Sequence, residues 1–152
     1  MKYLFGTGGF FVLATTLTVM GADWPQWRGP QRNGTSIETG LLQDWPNDGP
    51  KLNWKVDDAG SGYSTPAVVG GRVYLLGNEG LENEFVAAIN ASDGKRIWTT
   101  RIGNVGNPKQ NPSFPAARST PTVEDAFLYA LGSDGDVACL ETKSGKLVWK
   151  KN

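Results

Sequence analysis

Ser64-Thr-Pro-Ala-Val-Val-Gly-Gly-Arg-Val-Tyr-Leu-Leu-Gly77 is written a second time as Ser119-Thr-Pro-Thr-Val-Glu-Asp-Ala-Phe-Leu-Tyr-Ala-Leu-Gly132. Downstream of each copy, Ala88-Ile-Asn-Ala-Ser-Asp-Gly-Lys-Arg-Ile-Trp98 returns as Cys139-Leu-Glu-Thr-Lys-Ser-Gly-Lys-Leu-Val-Trp149. The first pair is offset by 55 positions (119 − 64) and the second by 51 (149 − 98), so the copies differ by one loop insertion. Self-similarity at this period marks a repeat architecture, in which a single unit cannot bury its apolar faces without a neighbour. Two copies running to Asn152 lead us to expect a fragment of a larger ring.

Within each copy the apolar residues alternate in short runs separated by turn dipeptides. Residues 65–69 and 72–76 read as strands joined by Gly70-Gly71, a dipeptide suited to a two-residue hairpin turn. Residues 84–90 and 95–101 complete the unit around the Ser92-Asp93-Gly94 turn, and the second unit repeats the pattern at 120–123, 127–131, 136–140 and 146–150. Four antiparallel strands in a meander every 45–50 residues or so fit the blade of a β-propeller. The competing all-β arrangement is a sandwich, which needs no internal repeat. The expected fold is therefore all-β, a propeller of four-stranded antiparallel blades with about two blades present. Leu52 to Val56 alternates as well. Its Trp54 falls in register with Trp98 and Trp149, so residues 51–56 are expected to be a closing outer strand, with blades at 63–102 and 118–152.

Residues 1–22 read as an export signal. Lys2 precedes an uncharged run from Tyr3 to Met20, and Gly21-Ala22 offers small residues for cleavage. A membrane anchor is the competing reading of that run. After cleavage no stable membrane span is expected, and the location is periplasmic or extracellular. Residues 23–50 form an arm rich in Pro and Gly, whose Trp24, Trp27, Leu41, Leu42 and Trp45 are expected to pack on the folded units, because apolar surface is costly to leave in water.

Composition narrows the chemistry. Fifteen basic and fifteen acidic residues leave a net charge of zero, so there is no basic field for nucleic acid. Histidine is absent, which removes the commonest general base and zinc ligand. The single Cys139 cannot form an internal disulfide, and its place among Val137, Ala138 and Leu140 points to a buried, inert thiol. Asp134-Gly-Asp136 lacks the further ligands of a calcium loop and reads as a hairpin turn. Asn33 and Asn90 begin glycosylation sequons, a common chance pattern. Open faces on the two end blades are expected to put Val68, Tyr74, Val86 and Leu131 at risk of solvent.

The segments ending in Gly94…Trp98 and Gly145…Trp149 resemble the quinoprotein, or PQQ-like, propeller repeat, which carries Ala-x-Asp-x-x-Thr-Gly-x-x-x-Trp. Asn90 stands where the family often has Asp and Asp93 where it has Thr; in the second copy Cys139, Glu141 and Ser144 occupy the Ala, Asp and Thr places. The arm Trp24-Pro-Gln-Trp-Arg-Gly-Pro also looks like the entry segment of exported PQQ-like propellers, similar in repeat to outer-membrane assembly factors of the BamB type. The resemblance implies that Trp54, Trp98 and Trp149 dock between blades and that Gly94 and Gly145 form the turns.

Two functions follow from that resemblance. One is an exported binding or assembly scaffold without bound quinone, with a protein or polysaccharide partner. The alternative is a piece of a PQQ-dependent periplasmic alcohol dehydrogenase, which would bring PQQ and calcium. Neither its adjacent cysteines nor its calcium and catalytic residues can be placed in this chain, so no catalytic or metal residue is assigned and no cofactor is expected. In a propeller the loops at 57–63, 78–84 and 103–118 share one face and exceed the length that hairpins need. They supply the binding candidates Tyr63, Glu79, Glu82, Lys109, Gln110 and Arg118.

Overall fold

Gly70 and Gly71 both take positive φ, 56° and 72°, and this reverses the chain between β1 (Ala67–Val69) and β2 (Arg72–Glu79). The computed structural model describes residues 21–106, 109 and 114–152. Residues 1–20 of the expected export signal lie outside it. β3 (Asn83–Asn90) and β4 (Arg96–Gly103) complete a sheet of order β1-β2-β3-β4, antiparallel throughout. β5 (Thr122–Glu124), β6 (Phe127–Leu131), β7 (Val137–Glu141) and β8 (Leu147–Lys151) form the second sheet in the same order. The protein is all-β, with two adjacent blades of an open propeller. No helix among the described residues is long and apolar enough to cross a membrane.

The two blades share one core. Tyr74, Leu76, Val86, Ala88 and Ile102 of the first pack with Val123, Leu128, Ala130, Ala138 and Leu140 of the second. Alternation explains the choice: on each strand these side chains lie two apart and so leave the same face. β1 and β5 touch across the seam, which makes them the inner strands and leaves β4 and β8 outside. Tyr74 and Val86 are therefore buried (2% and 0% exposed), against the expectation that they face solvent, while Leu131 on the far face of the second blade is 51% exposed.

The outer strands are tied across the seam by side chains. Trp98 Nε1 donates to the Thr142 carbonyl at 3.0 Å, and Arg72 Nη1 donates to the same oxygen at 2.8 Å. Trp54 Nε1 meets the Ala91 carbonyl at 2.8 Å in the equivalent way. Its own segment, residues 51–56, forms no strand. This departs from the expected closing strand, because among the described residues no strand edge pairs with it and the indole alone is anchored. Further in, Glu84 crosses the seam, its Oε2 accepting from Ser133 N at 2.8 Å and from the Ser133 hydroxyl at 2.7 Å.

Only the first part of the arm packs. Trp24 exchanges both backbone hydrogen bonds with Val68 (2.7 and 2.9 Å), and the Pro25 carbonyl accepts from Val123 N at 2.8 Å. The arm thus lies along the inner strands of both blades. Trp27, Leu41, Leu42 and Trp45, expected to pack, are instead exposed; the stretch from Leu41 to Trp45 has no regular hydrogen bonding to hold it on the blades.

Candidate functional site

The register fixes which loops lie together. Glu84 pairs with Gly103 and Ser61 with Asn78, so the connections before β1, between β2 and β3, and after β4 share one end of the first blade. The connection between β2 and β3 is shorter than expected. The strands continue to Glu79 and from Asn83, leaving only Gly80, Leu81 and Glu82 as the turn. The residues before β1 and β5 are the long connections that reach the inner end.

There the chain builds a cleft of 320 Å³ lined by Trp27, Tyr63, Thr65, Arg118 and Thr120. Tyr63 and Arg118 occupy equivalent places in the two repeats, as do Thr65 and Thr120, so each blade contributes the same pair of positions. The arm adds Trp27. Tyr63 is fixed through its backbone, its N–H donating to the Ala117 carbonyl at 2.7 Å. That approach depends on Gly62, since a Cβ there would stand 2.8 Å from the Ala117 oxygen. Beside it Ser64 Oγ donates to the Ser119 carbonyl at 2.7 Å and accepts from Leu76 N at 3.2 Å, which sets the spacing of the two loops.

Arg118 is held by its own loop. Nε donates to the Ala116 carbonyl at 3.3 Å and Nη2 to that of Phe114. Among the described residues no carboxylate pairs with it. Its remaining N–H groups and its charge are therefore available to the cleft, beside two hydroxyls. Trp27 rides on a tight turn in which Gly29 N donates to the Gln26 carbonyl at 3.0 Å and Arg32 Nε to Gln26 Oε1 at 3.2 Å. Both aromatic side chains stand mostly in solvent, Trp27 63% and Tyr63 65% exposed.

The structure brings together two of the six binding candidates, Tyr63 and Arg118. Glu79 ends β2, where Oε2 accepts from Asn83 at 3.2 Å, and Glu82 is exposed on the turn with its carbonyl held by Arg101. Neither lines the cleft. Lys109 is exposed, and Gln110 lies outside the described residues. Trp27, Thr65 and Thr120 were missed. The 55-residue offset pairs Thr65 with Thr120 and was the signal that could have found the hydroxyls; Trp27 has no repeat partner and could not be found that way.

Two further groups singled out in the sequence have structural places. Asp136, in the turn region read against a calcium loop, has Oδ1 3.3 Å from Lys150 Nζ. Cys139 is buried, and burial pushes its thiol above the ordinary value. No cluster of three His, Cys, Asp or Glu side chains suited to a metal ion occurs among the described residues.

Comparison with known proteins places this architecture. The family model described as "Outer membrane protein assembly factor BamB" matches residues 37–152. The BamB protein of Moranella endobia is 30% identical over 117 residues, covering 74% of this chain and 29% of that protein. The 1-butanol dehydrogenase (cytochrome c) of Thauera butanivorans is 26% identical over 145 residues, 93% of this chain and 20% of its own length. A solved quinohemoprotein alcohol dehydrogenase from Pseudomonas putida aligns with 66% of this chain and 14% of its own at 23% identity and a TM-score of 0.48. The chain thus spans less than a third of the length of these relatives. With two PQQ-like blades joined through Trp98 and a family match over three quarters of its residues, the chain belongs to the PQQ-like propeller family described by the outer membrane protein assembly factor BamB.

Proposed function

We propose that this chain is part of an exported propeller that acts as a binding or assembly scaffold, engaging its partner at the Trp27–Tyr63–Arg118 cleft without a bound quinone. The observation that carries this reading is the character of the cleft. Two exposed aromatic rings, two hydroxyls and a guanidinium with no carboxylate partner among the described residues are groups that hold a ligand. None of them is a histidine or a carboxylate, the side chains that most often serve as general bases. The likeness to an outer membrane protein assembly factor supports a cell-envelope location and a protein or polysaccharide partner. Zero net charge supports neither nucleic acid nor a charged lipid surface.

The likeness to a 1-butanol dehydrogenase over 93% of the chain favours a second reading, a piece of a quinone-dependent dehydrogenase. The cleft does not fit the calcium ion that such a site implies, because no carboxylate lines it and calcium takes six to eight oxygen ligands. The sequence also lacks a pair of adjacent cysteines. Titration with PQQ and calcium, followed by dye reduction with simple alcohols, separates the readings. Saturable uptake with turnover overturns the scaffold. Failure to take up quinone, together with ligand binding that Trp27→Ala abolishes, is the expected result.

A further inference from the structure

We infer that the cleft recognises a sugar ring bearing a carboxylate, as in a uronate residue of an acidic polysaccharide. This rests on the scaffold reading and gives it a ligand class. The cleft's 320 Å³ lies at the lower end of small-ligand clefts, about 300–1,000 Å³. It is room for a short run of rings rather than for a folded segment. No Leu, Ile, Val or Ala lines it, and its large apolar faces are the rings of Trp27 and Tyr63. Flat aromatic faces suit the C–H face of a pyranose, while Thr65 and Thr120 supply hydroxyls of the kind that pair with sugar hydroxyls.

Arg118 decides the charge of the ligand. Two carbonyls of its own loop orient the guanidinium, so little side-chain freedom is lost when a further acceptor arrives. With no carboxylate partner among the described residues, it favours an anionic group, and its planar fork matches a carboxylate. The inner strands argue against a peptide bound as an added strand. Such binding uses a free sheet edge, and the arm already occupies the one near the cleft, through the Trp24–Val68 pair and the bond from Val123 to Pro25.

The test is a calorimetric titration of the chain with trigalacturonate and with its fully methyl-esterified form, which keeps the rings and removes the charge. Trigalacturonate is expected to bind at least about tenfold more tightly than the ester, in line with one charge-assisted hydrogen-bonded contact. Arg118→Gln should bring the two affinities together, and Arg118→Lys should retain a preference for the acid. Trp27→Ala should abolish binding of both, whereas Trp45→Ala, a change at an exposed Trp elsewhere in the arm, should alter neither. Thermal melts establish that each variant is folded. Equal affinity of the unaltered chain for acid and ester overturns the role of Arg118. Absence of binding to either, with a peptide binding in a Trp27-dependent way, overturns the sugar and leaves the scaffold. Absence of any ligand that depends on Trp27 overturns both.

Discussion

Trp98 lies directly on Gly145: a Cβ added at that glycine would stand 2.5 Å from the indole ring. One blade ends in the indole and the next supplies the gap, with φ of 71° at Gly145 keeping the turn open. Trp54 meets Gly94 in the same way, at 2.8 Å. Trp98→Ala removes both the ring and the bond to Thr142, and is expected to cost about 3–5 kcal/mol in urea unfolding. A loss below about 1 kcal/mol would show that the blades are held elsewhere. Gly145→Ala should act on the same contact, so the double variant should lose less than the two losses added together.

Glu84 is wholly buried, and its Oε1 has no partner among the described residues. Ser133 supplies both donors to Oε2. Ser133→Ala deletes one of them and is expected to destabilise by about 1–3 kcal/mol, read as a lower urea midpoint with an unchanged slope. A neutral result would mean that the Ser133 N–H satisfies the carboxylate alone.

Asp93 provides a pH-dependent contribution whose sign is fixed. The Lys95 backbone N–H donates to it at 3.0 Å, and that bond above all holds its pKa below 3.8. A carboxylate whose folded pKa is depressed adds stability above its unfolded pKa and loses it as pH falls through the folded value. Asp93→Asn should therefore lower stability at neutral pH, with the difference from the unaltered chain vanishing as pH falls below about 4, so that the acid side of the profile is flatter. A side-chain carboxyl titration by NMR with a midpoint above 3.8 would contradict the assignment.

Cys139 should react slowly. Its thiol is buried and shifted upward by desolvation, so the reactive thiolate is scarce at neutral pH. An aromatic disulfide reagent is expected to label it only as fast as the blade opens, with the rate rising in sub-denaturing urea. Immediate stoichiometric labelling would refute this.

The outer face of the second blade should make the chain associate. Leu131, Val137, Trp149 and Phe127 are 51, 37, 43 and 40% exposed, a cluster of apolar side chains on one sheet surface. Sedimentation is expected to show mass rising with concentration, and Trp149→Glu to reduce it. A monomer at every concentration would overturn the prediction.

The repeat made the blades legible, because period-2 alternation and positive-φ turns are local properties. Strand limits were less so: β2 and β3 extend to Glu79 and from Asn83, since cross-strand pairing carries polar residues that alternation alone would stop at. The burial of Tyr74 and Val86 depends on which face meets the neighbour, which no single strand encodes. Two of the five cleft residues, Tyr63 and Arg118, could be anticipated from loop position. Trp27 could not, because its place depends on where the arm crosses the inner strands.

That crossing also sets an order of assembly. The Pro25 carbonyl waits for a partner N–H on Val123, 98 residues further on (123 − 25). Contacts so distant in sequence form late, after local hairpins have shortened the loop to be closed. The Trp24–Val68 pair can form on the first blade alone, but the second half of the seat exists only with the second blade. A chain halted between the blades would carry the strands of the first but not the closed cleft, so the Pro25–Val123 bond serves as a record that both repeats have folded.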